Sequence, residues 1–218
     1  MSKSFVRNLV LGGALLLSLP SFALTAAGEQ SLKQLQGRWA EINYQLPEAQ
    51  REAAFARLAG EAEAVVKAEP QAPELLIWNG IILSTWAGAK GGLGALDLVK
   101  QARSQFERAI ELDPKALDGS AYTSLGSLYY QVPGWPVGFG DDERAEQLLK
   151  QALTLNPDGI DPNYFYGDFL LREKRYAEAE KVLEQALAAP PRPGREVADA
   201  GRRKEAQALL EKARAKLR

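Results

Sequence analysis

Three segments of the chain carry the same residue types at the same offsets. They are QARSQFERAIELDP (residues 101–114), RAEQLLKQALTLNP (144–157) and EAEKVLEQALAAPP (178–191). Each places an alanine, a large apolar residue four positions on, a second alanine seven on and a proline twelve on. The sets are Ala102, Phe106, Ala109, Pro114; Ala145, Leu149, Ala152, Pro157; and Ala179, Leu183, Ala186, Pro191. Steps of three and four put the first three members of each set on one face of a helix. The alanines let a neighbouring helix come close, and the large residue fills the space between them. The proline ends the helix so that the chain can reverse.

A second helical segment precedes each copy, and each contains a glycine: Gly80 in LLIWNGIIL, Gly126 in YTSLGSLYY and Gly167 in NYFYGDFLL. Glycine inside a helix costs about 1 kcal/mol relative to alanine. Its recurrence predicts a close approach of the partner helix that offsets the cost. Elsewhere the pattern is also helical. Leu32, Leu35, Trp39 and Ile42 share one face, residues 48–68 form a second helix that Pro70 and Pro73 end, and an amphipathic helix starts near Glu196. Leu209, Leu210, Ala213 and Leu217 of that last helix are placed to cover the third copy.

The second and third copies lie 34 residues apart. On this period and on the Gly, Ala, Ala, Pro pattern, the chain resembles the tetratricopeptide repeat over about residues 73–191. The resemblance implies an all-α, right-handed solenoid of helical hairpins. Its repeats would be about 73–114, 119–157 and 160–191, in one domain of residues 24–218 with capping helices at both ends, the C-terminal one at about 196–217.

Two copies depart from the pattern at one place. Gly167 precedes its alanine by 12 residues, whereas Gly126 and Gly80 precede theirs by 19 and 22. This predicts two enlarged loops inside hairpins, neighbours on one rim, at GAKGGLG (88–94) and PGWPVGFG (133–140). GAKGGLG lacks the preceding strand and the Lys-Ser or Lys-Thr ending of a phosphate loop, so it reads as a flexible glycine-rich connector. Trp135 and Phe139 either fasten their loop to the scaffold or touch a ligand. Asp141 and Asp142 read as the cap of the next helix.

Composition narrows the function. The 218 residues contain neither cysteine nor histidine and carry a formal net charge of −1. Thiolate nucleophiles, imidazole bases and the usual zinc ligands are thereby excluded, and no enzyme activity, cofactor or metal is expected. The charge balance gives no footprint for nucleic acid. At the start of the chain, Lys3 and Arg7 precede an apolar run from Leu9 to Leu19, then Pro20 and Ser21-Phe22-Ala23. This is the layout of a cleavable secretory signal over residues 1–23, with a retained anchor as the alternative, and it predicts a periplasmic protein.

PGWPVGFGDD, DPNYFYGDFLL and APPRPGREVADAGRRKEAQALL together resemble the T component associated with tripartite ATP-independent periplasmic (TRAP) transporters, best over residues 119–212. That resemblance implies a periplasmic helper working with a solute-binding protein, self-associating, and holding or passing a small organic ligand, an organic acid or a hydrophobic molecule. The repeat resemblance implies that the first helix of each hairpin lines a concave groove. The expected lining is Ile77, Ile81 and Ser84, then Thr123, Ser127 and Tyr130, then Tyr164, Asp168, Leu171 and Arg172, with Trp135 and Phe139 on the rim. Tyr164 is the aromatic expected in the groove, and Asp168 with Arg172 reads as an ion pair on a helix face. Arg192, Arg195, Arg202, Arg203 and Lys204 read as a solvated basic face. Two functions follow as expectations: a protein-binding scaffold, or a carrier with an apolar pocket beneath the two loops.

Overall fold

The computed structural model describes residues 24–218, so the signal read over residues 1–23 lies outside the described residues. The described residues form nine helices and no strand. They are α1 (Ala26–Tyr44), α2 (Glu48–Ala68), α3 (Pro73–Lys90), α4 (Gly94–Leu112), α5 (Ala116–Gln131), α6 (Asp142–Leu155), α7 (Ile160–Arg172), α8 (Tyr176–Ala188) and α9 (Glu196–Leu217). Consecutive helices pack as antiparallel neighbours, as the prolines and short connections require.

The three repeated segments are α4, α6 and α8, and the glycine-bearing helices are α3, α5 and α7. A β-carbon at Gly80 would meet the Phe106 ring at 2.5 Å. At Gly126 and Gly167 it would meet the Cγ atoms of Leu149 and Leu183 at 2.9 and 2.6 Å. In every hairpin the large residue of the second helix therefore seats in the notch left by the glycine of the first. Phe106, Leu149, Leu183 and the six flanking alanines are fully buried. The sequence pattern is a packing rule, repeated three times.

The odd-numbered helices form the inner layer, with contacts from α1 to α3, α3 to α5, α5 to α7 and α7 to α9. The series closes on itself, because α9 also packs against α1. Closure depends on Gly201, where any side chain would run into the ring of Tyr44, and on the Tyr44 hydroxyl, which donates to Glu205 at 3.2 Å. The final helix thus does more than cap the last repeat. It turns an open solenoid into a ring.

The two expected loops differ in kind. Residues 88–90 continue α3, and α4 begins at Gly94, so the first hairpin absorbs its extra residues as additional helical turns. Only residues 91–93 connect them, with Gly91 and Gly92 in the left-handed region at φ 64° and 61°. The second is a true loop of residues 132–141. Its start turns on carbonyls of Val132 and Pro133 that approach Gly140 and Gly138 too closely for a side chain. The Gly140 amide donates to the Pro133 carbonyl at 3.0 Å, and the Asp141 amide to the Tyr129 carbonyl at 2.8 Å. Asp141 then caps α6 through the Arg144 amide at 3.0 Å.

Candidate functional site: the central cavity

Ring closure leaves a cavity of about 1040 Å³ bounded mainly by the inner helices. One wall is aromatic. Trp39 of α1 meets Tyr44 and Trp78 edge-on, each at 5.8 Å between ring centres. The Trp39 indole N–H is satisfied by Thr85 Oγ1 at 3.0 Å, which fixes the ring. Phe165 of α7 faces the same space. A second wall carries hydroxyls from α3 and α5: Ser84, Thr123, Ser124 and Ser127. Ser84 and Ser127 donate to their own helix, to the carbonyls of Ile81 (2.9 Å) and Ser124 (2.8 Å), leaving their oxygens as acceptors.

The third wall is cationic and comes from the α8–α9 connection and α9. Arg202 is held between Asp161 (2.8 Å) and Glu205 (2.8 Å), with its guanidinium 4.2 Å from the Tyr164 ring centre. Arg192 bridges Asp161 (2.7 Å) and Asp199 (2.6 Å). Burial raises the affinity of Asp161 for a proton, but Arg202 and Arg192 outweigh it and hold the carboxyl below its ordinary range.

Arg195 differs from both. Its guanidinium lies 4.7 Å from the Trp78 ring centre, and its Nε is buried with no hydrogen-bond partner. Among the described residues no carboxylate reaches it within ion-pair distance. Burial, with Arg192 beside it, lowers its pKa from the usual arginine value. A cation in contact with an indole and short of acceptors is an unfinished interaction.

The cavity gathers four of the residues expected in the groove: Ile81, Ser84, Thr123 and Ser127. Others lie elsewhere. Ile77 is fully buried in a cluster with Leu76, Ala109, Ala116 and Ala121, so it is core and not lining. Tyr130 is buried against Phe169, and its hydroxyl donates to Asp168 at 2.8 Å. Asp168 and Arg172 do not pair: Asp168 accepts from Tyr130, while Arg172 sits 5.3 Å over the Tyr130 ring. Buried Tyr130 supplies a hydrogen bond and a ring face, and these draw the two charged groups to itself. Tyr164 stacks edge-on with Phe165 beneath Arg202, and it is Phe165 that reaches the cavity. Leu171 is half-buried against the C-terminal core, and Arg172 is exposed.

The rim aromatics separate cleanly. Phe139 packs edge-on to Tyr129 at 5.5 Å and lies under Arg103 of α4 at 5.1 Å, so it fastens the loop. Trp135 is 90% exposed and Val137 56%. Leu93, in the neighbouring α3–α4 turn, is 83% exposed. Leu93 and Val137 both border the cavity, which puts the two connections at one mouth.

Of the basic face expected at the C-terminus, the four arginines are half-buried and turned inward, and Lys204 alone is exposed. Arg192 and Arg202 are in the ion pairs above, and Arg203 donates to the carbonyls of Leu187 (2.6 Å) and Ala189 (2.7 Å) at the end of α8. Trp39, Trp78, Phe165 and Arg195 are the site residues that sequence reasoning missed. The PPRPGR stretch was the available signal, since two further prolines and a glycine force a bent connection whose arginines cannot all share a helix face.

Residues 138–200 match a family described as tetratricopeptide repeat. A thermophilic TPR protein of Thermus thermophilus, TTC0263, has a similar crystal structure. The two are 26% identical, with a TM-score of 0.53 over 83% of this chain and 89% of that one. The human antiviral innate immune response effector IFIT1 is 31% identical over 90 residues, which is 41% of this chain but 18% of IFIT1. The similar crystal structure and the glycine-notched hairpins support an all-α, TPR-like solenoid fold, and the matched model identifies residues 138–200 as tetratricopeptide repeat.

Proposed function

We propose that the chain is an exported scaffold that binds another periplasmic protein, the solute-binding protein of a TRAP-type transporter, through the rim of its ring. The fold supports a protein–protein interaction scaffold. The observation that carries the specific surface is the mouth at Leu93, Trp135 and Val137. Large apolar side chains stand in solvent there on a loop that Phe139 and two backbone hydrogen bonds hold in place. Solvent-facing apolar groups on an ordered support mark an interaction surface. Export rests on the signal layout of residues 1–23 and the partner on the resemblance of residues 119–212. The test mixes the purified mature protein with the solute-binding protein of its own organism. A complex should elute in size exclusion and be lost in Trp135→Ala combined with Val137→Ser. A complex that survives both changes removes the rim from the proposal, and cell fractionation that leaves the protein in the cytoplasm removes export.

A second reading is favoured by the closure of α9 on α1: the chain carries a small ligand inside the ring. Cavities of several hundred to about 1,000 Å³ are the usual size for small-molecule sites. Native mass spectrometry of freshly purified protein should show an adduct of small-molecule mass. Bare protein, together with no binding of an apolar probe, counts against this reading.

A further inference from the structure

We infer that the ring is a clamp that opens between α1 and α9 on a hinge at α5, giving the cavity a side entrance apart from the mouth at Leu93 and Val137. The opening follows from the packing, and its use for ligand entry rests on the ligand-carrying reading.

The apolar core divides the ring into two halves. One cluster is built from α1–α4 and takes in Leu125 and Leu128 of α5 and Leu148 of α6. The other is built from α6–α8 and takes in Tyr130 of α5 with Ala206, Leu210 and Ala213 of α9. The halves meet on two sides of the ring, at α5 and where α9 closes on α1. The α5 side is apolar and continuous. Both clusters share that helix, and its Ala116 and Ala121 also pack with Leu76 and Ile77 of α3. Its first turn leaves the helical region at Leu117 and Asp118, with φ of 48° and 54°. Such element ends are where hinges absorb rotation.

The α9 side is thin. Of the buried apolar residues of α9, only Ala198 joins the first cluster. Among the described residues, the ion pairs of α9 and of Arg192 before it run to α7, to α8 or within α9, and none reaches the α1–α4 half. Two polar contacts cross the seam. One is the Tyr44 hydroxyl bond to Glu205, at 3.2 Å long for an O–H···O bond. The other is the Arg195 guanidinium on the Trp78 ring, and it is incomplete, since the Arg195 Nε is buried with no acceptor. A buried unpaired donor raises the free energy of the closed seam, and water satisfies it when the seam opens. Segments with few buried apolar contacts are the ones that open locally. The halves therefore part at α1–α9 and stay joined at α5, with α9 remaining on α8.

The experiment uses the purified mature protein. The chain has no cysteine, so introduced cysteines are labelled alone. A spin-label pair at Gln34→Cys and Lys204→Cys spans the seam, and a control pair at Lys181→Cys and Gln207→Cys spans α8 and α9; all four positions are exposed. Double electron–electron resonance should give one distance for the control and two for the seam. Tyr44→Phe, which removes only the crossing hydroxyl, should raise the ratio of the longer to the shorter seam distance by at least about threefold. Gly201→Val, wedged against the Tyr44 ring, should raise it further. Circular dichroism melting confirms that these variants fold, and the distances without them decide even if they do not. A seam distribution as narrow as the control overturns the clamp.

A lock tests the entrance. A β-carbon on Gly201 would lie 2.5 Å from the Tyr44 Cγ, which puts the two β-carbons within about 4 Å, as a disulfide needs. In oxidised Tyr44→Cys/Gly201→Cys, uptake and release of the neutral fluorescent probe N-phenyl-1-naphthylamine should slow by at least about tenfold and recover on reduction. Equal rates in the locked and reduced forms overturn the seam as the entrance. If the probe binds neither the lock nor the unaltered protein, the ligand-carrying reading fails, and the spin-label distances still decide whether the ring opens.

Discussion

The α5–α6 and α7–α8 hairpins share an interior and differ at the rim. In both, a leucine of the second helix seats on a glycine of the first, Leu149 on Gly126 and Leu183 on Gly167, between buried alanines. Yet α7 and α8 are joined by residues 173–175, whereas α5 and α6 are joined by residues 132–141. The interior is constrained because any added carbon there meets packed atoms. The rim is not, because a longer connection needs only local hydrogen bonds and one aromatic fastening to be held. The α3–α4 hairpin shows a third solution, in which the extra residues lengthen both helices and raise one wall of the cavity. One packing rule thus supports three different rims.

The comparison predicts that interior changes cost much and rim changes little. Phe106→Ala should be the most damaging, at about 3–5 kcal/mol by chemical denaturation, because it empties the Gly80 notch and leaves a cavity. Gly167→Ala comes next, at roughly 1–2 kcal/mol destabilising. Overpacking against Leu183 outweighs the helix-propensity gain of alanine. Gly60→Ala in α2, which would meet nothing within 4 Å, should instead stabilise by up to about 1 kcal/mol. Opposite signs at these two helical glycines support the notch rule, and equal signs break it.

The notch rule was legible because it is local: each member lies within one hairpin, and three copies expose it. The ring was not legible. Tyr44 and Glu205 are 161 residues apart, and no periodicity in α1 or α9 announces that they meet. The expected groove positions suit an open solenoid, and the closed ring divides them. Ile81, Ser84, Thr123 and Ser127 face the cavity, but Ile77 and Tyr130 turn into the packing between helices. GAKGGLG departs from the expected flexible connector for a different reason. Glycines suggest a loop, but Gly88 tolerates the end of a helix, and only Gly91 and Gly92 adopt the conformation that glycine favours.

The two hairpins are also tied to each other near their outer layer. Glu146 of α6 accepts from Arg175, in the α7–α8 turn, at 2.7 Å and from Lys150 at 2.9 Å. Arg175 and then Lys150 lower the Glu146 pKa to about 2. A carboxylate with a depressed folded-state pKa contributes stability above its unfolded value, and that contribution fades as pH falls from about 4.5 towards 2. Glu146→Gln should therefore cost about 1 kcal/mol near neutral pH, an amount reduced by partial solvent screening. The gap in melting temperature between the variant and the unaltered protein should close as the solution approaches pH 2. A gap that stays constant from neutral pH to pH 3 assigns the effect to packing instead.

The smallest effects belong to the long loop, and they separate its two aromatics. Phe139→Ala should cost about 1 kcal/mol or less, because the ring loses Tyr129 and the Arg103 guanidinium. Its clearer signature is faster hydrogen exchange at the amides of Gly140 and Asp141, whose bonds to Pro133 and Tyr129 define the loop. Trp135→Ala should change stability by no more than about 0.5 kcal/mol and leave those amides protected, because the side chain is 90% exposed. If Trp135→Ala instead loosened the loop as much as Phe139→Ala, both aromatics would be fasteners. The rim would then present no apolar surface held ready for a partner, and the contrast between a constrained interior and a permissive rim would lose its functional meaning.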